Sequence, residues 1–251
     1  MAEPTFRILE ILAQLMVLAT GTRITYSGEE NIPDRGGAVV AINHTSYVDF
    51  LPAALAVHRR RRRLRFMIKA EMQDVKVVNF LIKRTRTIPV DRHAGAGAYA
   101  VAVQQLREGE LVGVYPEATI SRSFELKEFK TGAARMAGEA GVPIVPVIVW
   151  GAQRIWTKDR PRQLGRNHVP VDVRVGAPLR ADADVAETGA ALRAAMTRLL
   201  HQAQERYPHE PGAHWVPHRL GGGAPTPAEA ARIEAAEAAA RAEGRSPGQR
   251  R

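Results

Sequence analysis

The chain has 251 residues, 45% of them hydrophobic and 25% charged, which suits one sizeable α/β domain with appendages and argues against general disorder or an integral membrane protein. It contains no cysteine, so disulfides, a thiol nucleophile and cysteine-ligated zinc are excluded, and a reducing cytoplasm fits. A net charge of +10 at pH 7 calls for a polyanionic partner, either nucleic acid or an anionic lipid surface.

The chain opens with an apolar segment in which Phe6, Ile8, Leu9, Ile11, Leu12, Leu15, Met16, Val17 and Leu18 recur densely enough for a helix. The uncharged run, Ile11 to Thr22, falls short of the roughly 20 apolar residues that a membrane-spanning helix needs, and Glu3 and Pro4 do not suit a signal peptide. Residues 1–23 are therefore expected to lie in a membrane interface, the alternative being a helix docked on the protein's own core.

Next comes the apolar strand Ala38 to Ile42, followed at once by Asn43-His44-Thr45-Ser46-Tyr47-Val48-Asp49. If Thr45 or Ser46 caps a helix, Asp49 returns beneath the imidazole of His44. A carboxylate on one ring nitrogen fixes the tautomer and leaves the other nitrogen free to take a proton from an alcohol. No serine in a nucleophile elbow accompanies the pair, so the substrate's own hydroxyl is a candidate nucleophile; the alternative is a capped, packed turn. The basic run Arg59 to Arg63 with Arg65 has no interleaved aromatic to stack on bases, which disfavours nucleic acid and leaves an anionic membrane or a solvated, self-repelling loop.

Short β-branched runs then alternate with helical stretches: strands at Phe66 to Lys69, Leu111 to Tyr115, Ile144 to Val149 and Val169 to Val175, helices at Ala94 to Arg107 and Thr131 to Ala140. Val169, Val171, Val173 and Val175 share one face of the last strand, and Asp172 and Arg174 the other. Leu192, Met196, Leu199, Leu200 and Ala203 form one helical stripe. These runs predict a single α/β domain over 24–220, a central mixed sheet flanked by helices, with an apolar N-terminal helix before it.

Polar groups cluster at three further places: Ile88-Pro89-Val90-Asp91-Arg92, Tyr115-Pro116-Glu117-Ala118-Thr119-Ile120-Ser121-Arg122 leading to Phe129-Lys130-Thr131-Gly132, and Val142-Pro143-Ile144-Val145-Pro146-Val147. Taken singly they read as a salt-bridged loop, a capped helix and an edge strand. His209, Glu210, His214 and His218 resemble a metal ligand set, but Pro208, Pro211 and Pro217 forbid the helix that usually aligns one. Past Gly221-Gly222-Gly223, Thr226-Pro227-Ala228-Glu229 is a capping box. With Ile233 as the helix's one large apolar residue, 221–251 is expected to be a flexible, solvated helical tail.

In this order the clusters resemble the motifs of the glycerolipid acyltransferase family, the bacterial lysophosphatidic acid acyltransferases in particular, from about Ile24 to Pro178. The resemblance implies that His44 is the general base and Asp49 its orienting carboxylate. It implies that Arg92 binds the acceptor's phosphate, that Glu117 and Thr119 help hold the glycerol phosphate, and that Pro146 belongs to the fourth block. Two departures fall in the third motif, where Ala118 replaces a glycine and Ile120 an arginine; Arg122 or Lys130 is a candidate replacement cation. Asn79 and Arg86 stand where glycines are expected in the second.

Arg92, Arg122, Lys130 and Lys69 are expected to converge on one phosphate, and backbone amides near Gly132 to receive the oxyanion. The activity implied is transfer of a fatty acyl group from acyl-CoA or acyl-carrier protein to the free hydroxyl of a lysophosphatidic acid, a lysophospholipid acceptor, without metal or cofactor. The expected place is the cytoplasmic face of the cell membrane, held peripherally. Glycerol 3-phosphate, another lysophospholipid or a glycolipid is the alternative acceptor, and a non-catalytic lipid-binding protein of the same fold the alternative class.

Overall fold

The structure, a computed structural model, describes residues 4–74, 76–90, 95–181 and 184–242. Seven strands form one sheet in the order β1-β7-β6-β2-β5-β3-β4. They are β1 (Arg23–Ser27), β2 (Ala38–Ile42), β3 (Leu64–Lys69), β4 (Ile88–Val90), β5 (Leu111–Val114), β6 (Ile144–Trp150) and β7 (Pro170–Val175). Every pairing is parallel except β6 with β7, so the sheet is mixed, as the sequence predicts.

The helices are α1 (Pro4–Thr20), α2 (Phe50–Arg59), α3 (Lys76–Thr85), α4 (Gly95–Arg107), α5 (Gly132–Ala140), α6 (Val185–Glu205) and α7 (Pro227–Ala242). Apolar residues of α4, α5 and α6 pack with Val39, Ala41, Val112 and Ile148 on one face of the sheet, while those of α2 pack with Val40, Ile42, Leu111 and Val147 on the other. Burial on both faces explains why β2, β5 and β6 read as unbroken apolar runs rather than alternating ones. β7 instead alternates, with Val171, Val173 and Val175 buried and Asp172 paired to Arg174 at 2.8 Å.

β2 is central, hydrogen-bonded to β5 on one side and β6 on the other, with Ala41 in register with both Val114 and Pro146. Two parallel neighbours therefore release their following loops at the same end, the crevice where open α/β sheets place ligands. Pro146 is not on an edge strand. It lies inside the sheet just before the β6–β7 ladder begins at Val147, and its carbonyl accepts from Gly176 N at 2.8 Å as β7 ends.

One strand was not foreseen, and three other expectations are corrected. Residues 23–27 form a strand that the sequence hides, because β1 is a short edge strand carrying no apolar run. The helix after His44 begins only at Phe50; residues 44–49 are a turn.

The arginine run is not a self-repelling loop. Arg59 pairs with Glu29, Arg60 with Asp34, Arg63 with Glu10 and Arg65 with Glu110, while Arg62 donates to the carbonyls of Pro33, Gly36 and Gly109.

The tail differs as well. The capping box forms, with Thr226 N donating to Glu229 Oε2 at 2.8 Å. The helix it opens is held to the domain by charge instead of an apolar stripe: Glu234 pairs with Lys127, Glu237 pairs with Arg122, and Ala230 is buried.

Among the described residues no helix is long and apolar enough to cross a membrane. No residue of α1 is buried, and Ile8, Ile11, Leu12, Leu15, Met16 and Leu18 are exposed. The helix is fastened by its other side, where Glu10 meets Arg63 and His58 and the Phe6 ring lies under Arg63 and Arg65.

Candidate active site

The loop that follows β2 is shaped by one carboxylate. Asp49 is fully buried, and its Oδ2 accepts from Thr45 N at 2.8 Å, from Ser46 N at 2.7 Å and from His44 Nδ1 at 3.3 Å. His44 and Asp49 meet because the chain turns back onto this oxygen, not because a helix brings them round. The other oxygen, Oδ1, is buried without a hydrogen-bond partner among the described residues. Burial raises the Asp49 carboxyl above the usual range, against the opposing pull of His44 and of the Ser46 and Thr45 amides.

The turn is pinned on both flanks. Asn43 makes a two-way contact with Val149, accepting from its N–H at 2.7 Å and donating to its carbonyl at 3.0 Å. Ser46 Oγ lies 2.6 Å from the carbonyl of Trp156, and Thr157 Oγ1 donates to the carbonyl of Thr45 at 2.7 Å. These fix the backbone of 43–46, and so the imidazole between.

The loop after β5 supplies the other wall. Tyr115 stacks on His44 with ring centroids 4.0 Å apart and 19° between the planes. Glu117, buried, accepts from His44 N at 2.8 Å through Oε1 and from Lys127 N at 3.0 Å through Oε2. Ser121 N donates to the His44 carbonyl at 2.8 Å, so His44 is held by its neighbours at both backbone groups. Burial pushes the Glu117 carboxyl up to about 7, against the two amide hydrogen bonds, with the nearby Asp49 charge adding to the rise. The imidazole, 18% exposed, thus has Nδ1 on a carboxylate, and its Nε2 has no hydrogen-bond partner among the described residues.

The expected substrate-binding residues divide. Glu117 belongs to the site as a brace on the His44 backbone. Thr119 Oγ1 accepts from Lys127 Nζ at 2.6 Å. Arg122 is buried, held by Asp159 at 2.7 Å and by Glu237. Lys130 is exposed, with its backbone N–H on the Pro116 carbonyl at 2.8 Å. Gly132 opens α5, and no hydrogen bond among the described residues joins it to His44. Lys69 ends β3, in register with Val90. Asp91 and Arg92 lie outside the described residues.

Ile120 is buried in the core, so the position where the motif expects arginine carries no cation. Tyr115 and Lys127 were missed by sequence reasoning. The lost guanidinium at Ile120 was the available signal for Lys127, the basic residue between Arg122 and Lys130. His209 packs among Trp150, Tyr207 and Trp215, and among the described residues no group of three or more His, Asp or Glu could hold a metal ion.

Residues 23–150 match the family model described as Acyltransferase. The chain is 25% identical over 158 residues to a 1-acyl-sn-glycerol-3-phosphate acyltransferase of Borreliella burgdorferi, covering 62% of each chain. It is 29% identical over 137 residues to the protein of that name from Bacillus subtilis, covering 54% of this chain and 67% of the relative. The match thus spans about three fifths to two thirds of the length of these relatives. Its fold is similar to the crystal structure of the 1-acyl-sn-glycerophosphate acyltransferase PlsC from Thermotoga maritima, with a TM-score of 0.69 at 22% identity over 81% of both chains.

Proposed function

The chain belongs to the acyltransferase family, and we propose that it moves a fatty acyl group from a thioester, acyl-CoA or acyl-carrier protein, onto the free hydroxyl of lysophosphatidic acid. The observation that carries this reading is the His44–Asp49 contact of 3.3 Å at the strand-end crevice, together with relatives that bear the name 1-acyl-sn-glycerol-3-phosphate acyltransferase.

In the proposed reaction His44 Nε2 removes the acceptor's hydroxyl proton as that oxygen attacks the thioester carbon. The carbon–sulfur bond breaks and the leaving thiolate takes a proton back from the imidazolium. Asp49 holds Nδ1–H, so the tautomer that leaves Nε2 basic is the one selected, and its charge faces the imidazolium as it forms. A positioned base contributes about 10² to 10⁴ in rate. The stacked Tyr115 and the Glu117 brace restrain the ring before substrate arrives, so less ordering remains at the transition state. No acyl-enzyme forms in this scheme, since the acceptor's own oxygen is the nucleophile.

The test is purified protein with a labelled acyl thioester and a panel of lysophospholipids. Thiol release that depends on lysophosphatidic acid, with a diacyl product, is the expected result. Thiol release without any acceptor would identify a thioesterase instead, and no turnover with any member of the panel would favour a lipid-binding role.

A further inference from the structure

Ile120 leaves the third motif without its arginine, yet positive charge gathers there from other positions. Lys127 Nζ lies 2.6 Å from Thr119 Oγ1, and its own backbone N–H shares the Glu117 carboxylate with the His44 N–H. Lys127 and His44 are therefore separated by one carboxylate and two hydrogen bonds. Arg122 reaches the same region, 7% exposed, and its Nη1 is buried with no hydrogen-bond partner among the described residues. Lys158 lies within electrostatic reach of both.

What faces these cations comes from far along the chain. Glu234 and Glu237 lie on one face of α7 at helical spacing, the first on Lys127 and the second on Arg122. Glu234 Oε1 is itself buried, with no hydrogen-bond partner among the described residues. Two carboxylates thus stand where a dianionic group with several acceptor oxygens would satisfy the same donors and the idle Nη1 as well. A carboxylate pair held by a helix with one large apolar residue, Ile233, which is exposed, is a displaceable occupant.

We propose that Lys127 and Arg122 bind the phosphate of the acceptor, and that Glu234 and Glu237 of α7 occupy that anion site in the resting chain and leave it when the acceptor enters. The proposal rests on the acceptor being a phosphate ester. It gives Lys127 the charge lost at Ile120 and gives α7 a role as a competing internal anion.

The experiment is titration of the full-length chain with glycerol 3-phosphate and with inorganic phosphate, without acyl donor, by calorimetry. Removing both competing charges in E234Q/E237Q should tighten glycerol 3-phosphate binding by about tenfold, the combined effect of two partly buried ion pairs. Lys127→Met should weaken it by about tenfold or more, with circular dichroism unchanged in both variants. Unchanged or weaker binding in E234Q/E237Q would overturn the competition, and wild-type affinity in Lys127→Met would overturn the site. A gain for inorganic phosphate alone would assign the pair to free phosphate and overturn its acceptor role. If binding behaves as expected but neither wild type nor E234Q/E237Q transfers an acyl group to lysophosphatidic acid, the acyltransfer reading fails while the anion site stands.

Discussion

Tyr115 lies face to face with His44, ring centroids 4.0 Å apart, so the imidazole is held by a flat neighbour as well as by its carboxylate. The phenol stays neutral, because burial raises its ionisation well above the ordinary value and the Asp49 charge adds to that. The stack therefore acts through shape. Tyr115→Phe should keep kcat within about twofold, while Tyr115→Leu should lower it by about three- to tenfold, the worth of an aromatic pair of roughly 0.5–1.5 kcal/mol. Steady-state kinetics of the two variants decides this, and a loss in Tyr115→Phe equal to that in Tyr115→Leu would assign the effect to the hydroxyl instead.

Ala118 occupies the left-handed region at φ 60°, where the related motif has glycine. An L residue there costs about 1–2 kcal/mol, part of which glycine returns to the unfolded chain as entropy. Ala118→Gly should therefore stabilise the protein by about 1 kcal/mol and raise Tm by roughly 2–4 °C. A lower Tm in differential scanning calorimetry would show that the turn is not strained.

Glu117 carries a carboxyl pushed up to about 7 by burial. An unfolded glutamate titrates near about 4.3, so between these values the folded chain holds the extra proton. The contribution to stability is complete below about 4.3 and is lost as pH rises through 7. Its side-chain carbonyl carbon, followed by ¹³C NMR, should titrate with a midpoint near 7, and a midpoint in the ordinary carboxylate range would show the site to be wetter than its burial implies. The Glu117→Gln variant is a poor substitute test, since Glu117 accepts an amide on each oxygen and a glutamine would turn one of them into a donor.

The exposed apolar side of α1, which carries Ile8, Leu12, Leu15 and Leu18, should insert into a bilayer surface. Because Arg59, Arg60, Arg63 and Arg65 are already matched by carboxylates, salt should weaken vesicle binding only slightly. Co-sedimentation with anionic vesicles should persist at high salt and be lost in L12E/L15E. Release by moderate salt in the wild type would assign the affinity to the basic surface instead.

How much of this was legible beforehand follows from what kind of force built each part. The central strands could be read because burial on both faces demands apolar runs, and the His44–Asp49 pair because its turn is local. β1 was hidden because an edge strand paired only to β7 needs no apolar run. The stack of Tyr115 on His44 and the span of Glu117 from His44 to Lys127 depend on β2 and β5 being neighbours, which sequence order does not reveal. The α7 contacts were the least accessible, since charge pairs between positions so distant leave no periodic signal and the helix lacks the stripe that announces packing.

The pairing of His44 with Asp49 makes the last prediction the most demanding. His44→Ala should abolish transfer, lowering kcat by about 10² or more, with KM little changed, because the base acts only as the proton leaves. Asp49→Asn separates geometry from charge. Asp49 Oδ2 takes all three hydrogen bonds while Oδ1 takes none, so an asparagine can place its oxygen at the first position and its amide at the second without losing a contact. The turn should survive, and folding should stay close to wild type, because the asparagine's NH2 at the Oδ1 position costs less to bury than the charged carboxylate it replaces. Since the raised Asp49 carboxyl stabilises the fold at low pH and loses that contribution as pH rises, the variant's advantage should grow with pH. Activity should fall all the same, for a neutral amide cannot meet the imidazolium with opposite charge. Thermal melts across pH and kcat on the same samples test the two halves together. An Asp49→Asn chain that is as stable as wild type and retains more than about a tenth of its kcat would remove the carboxylate's charge from the mechanism, and a His44→Ala chain doing the same would remove base catalysis.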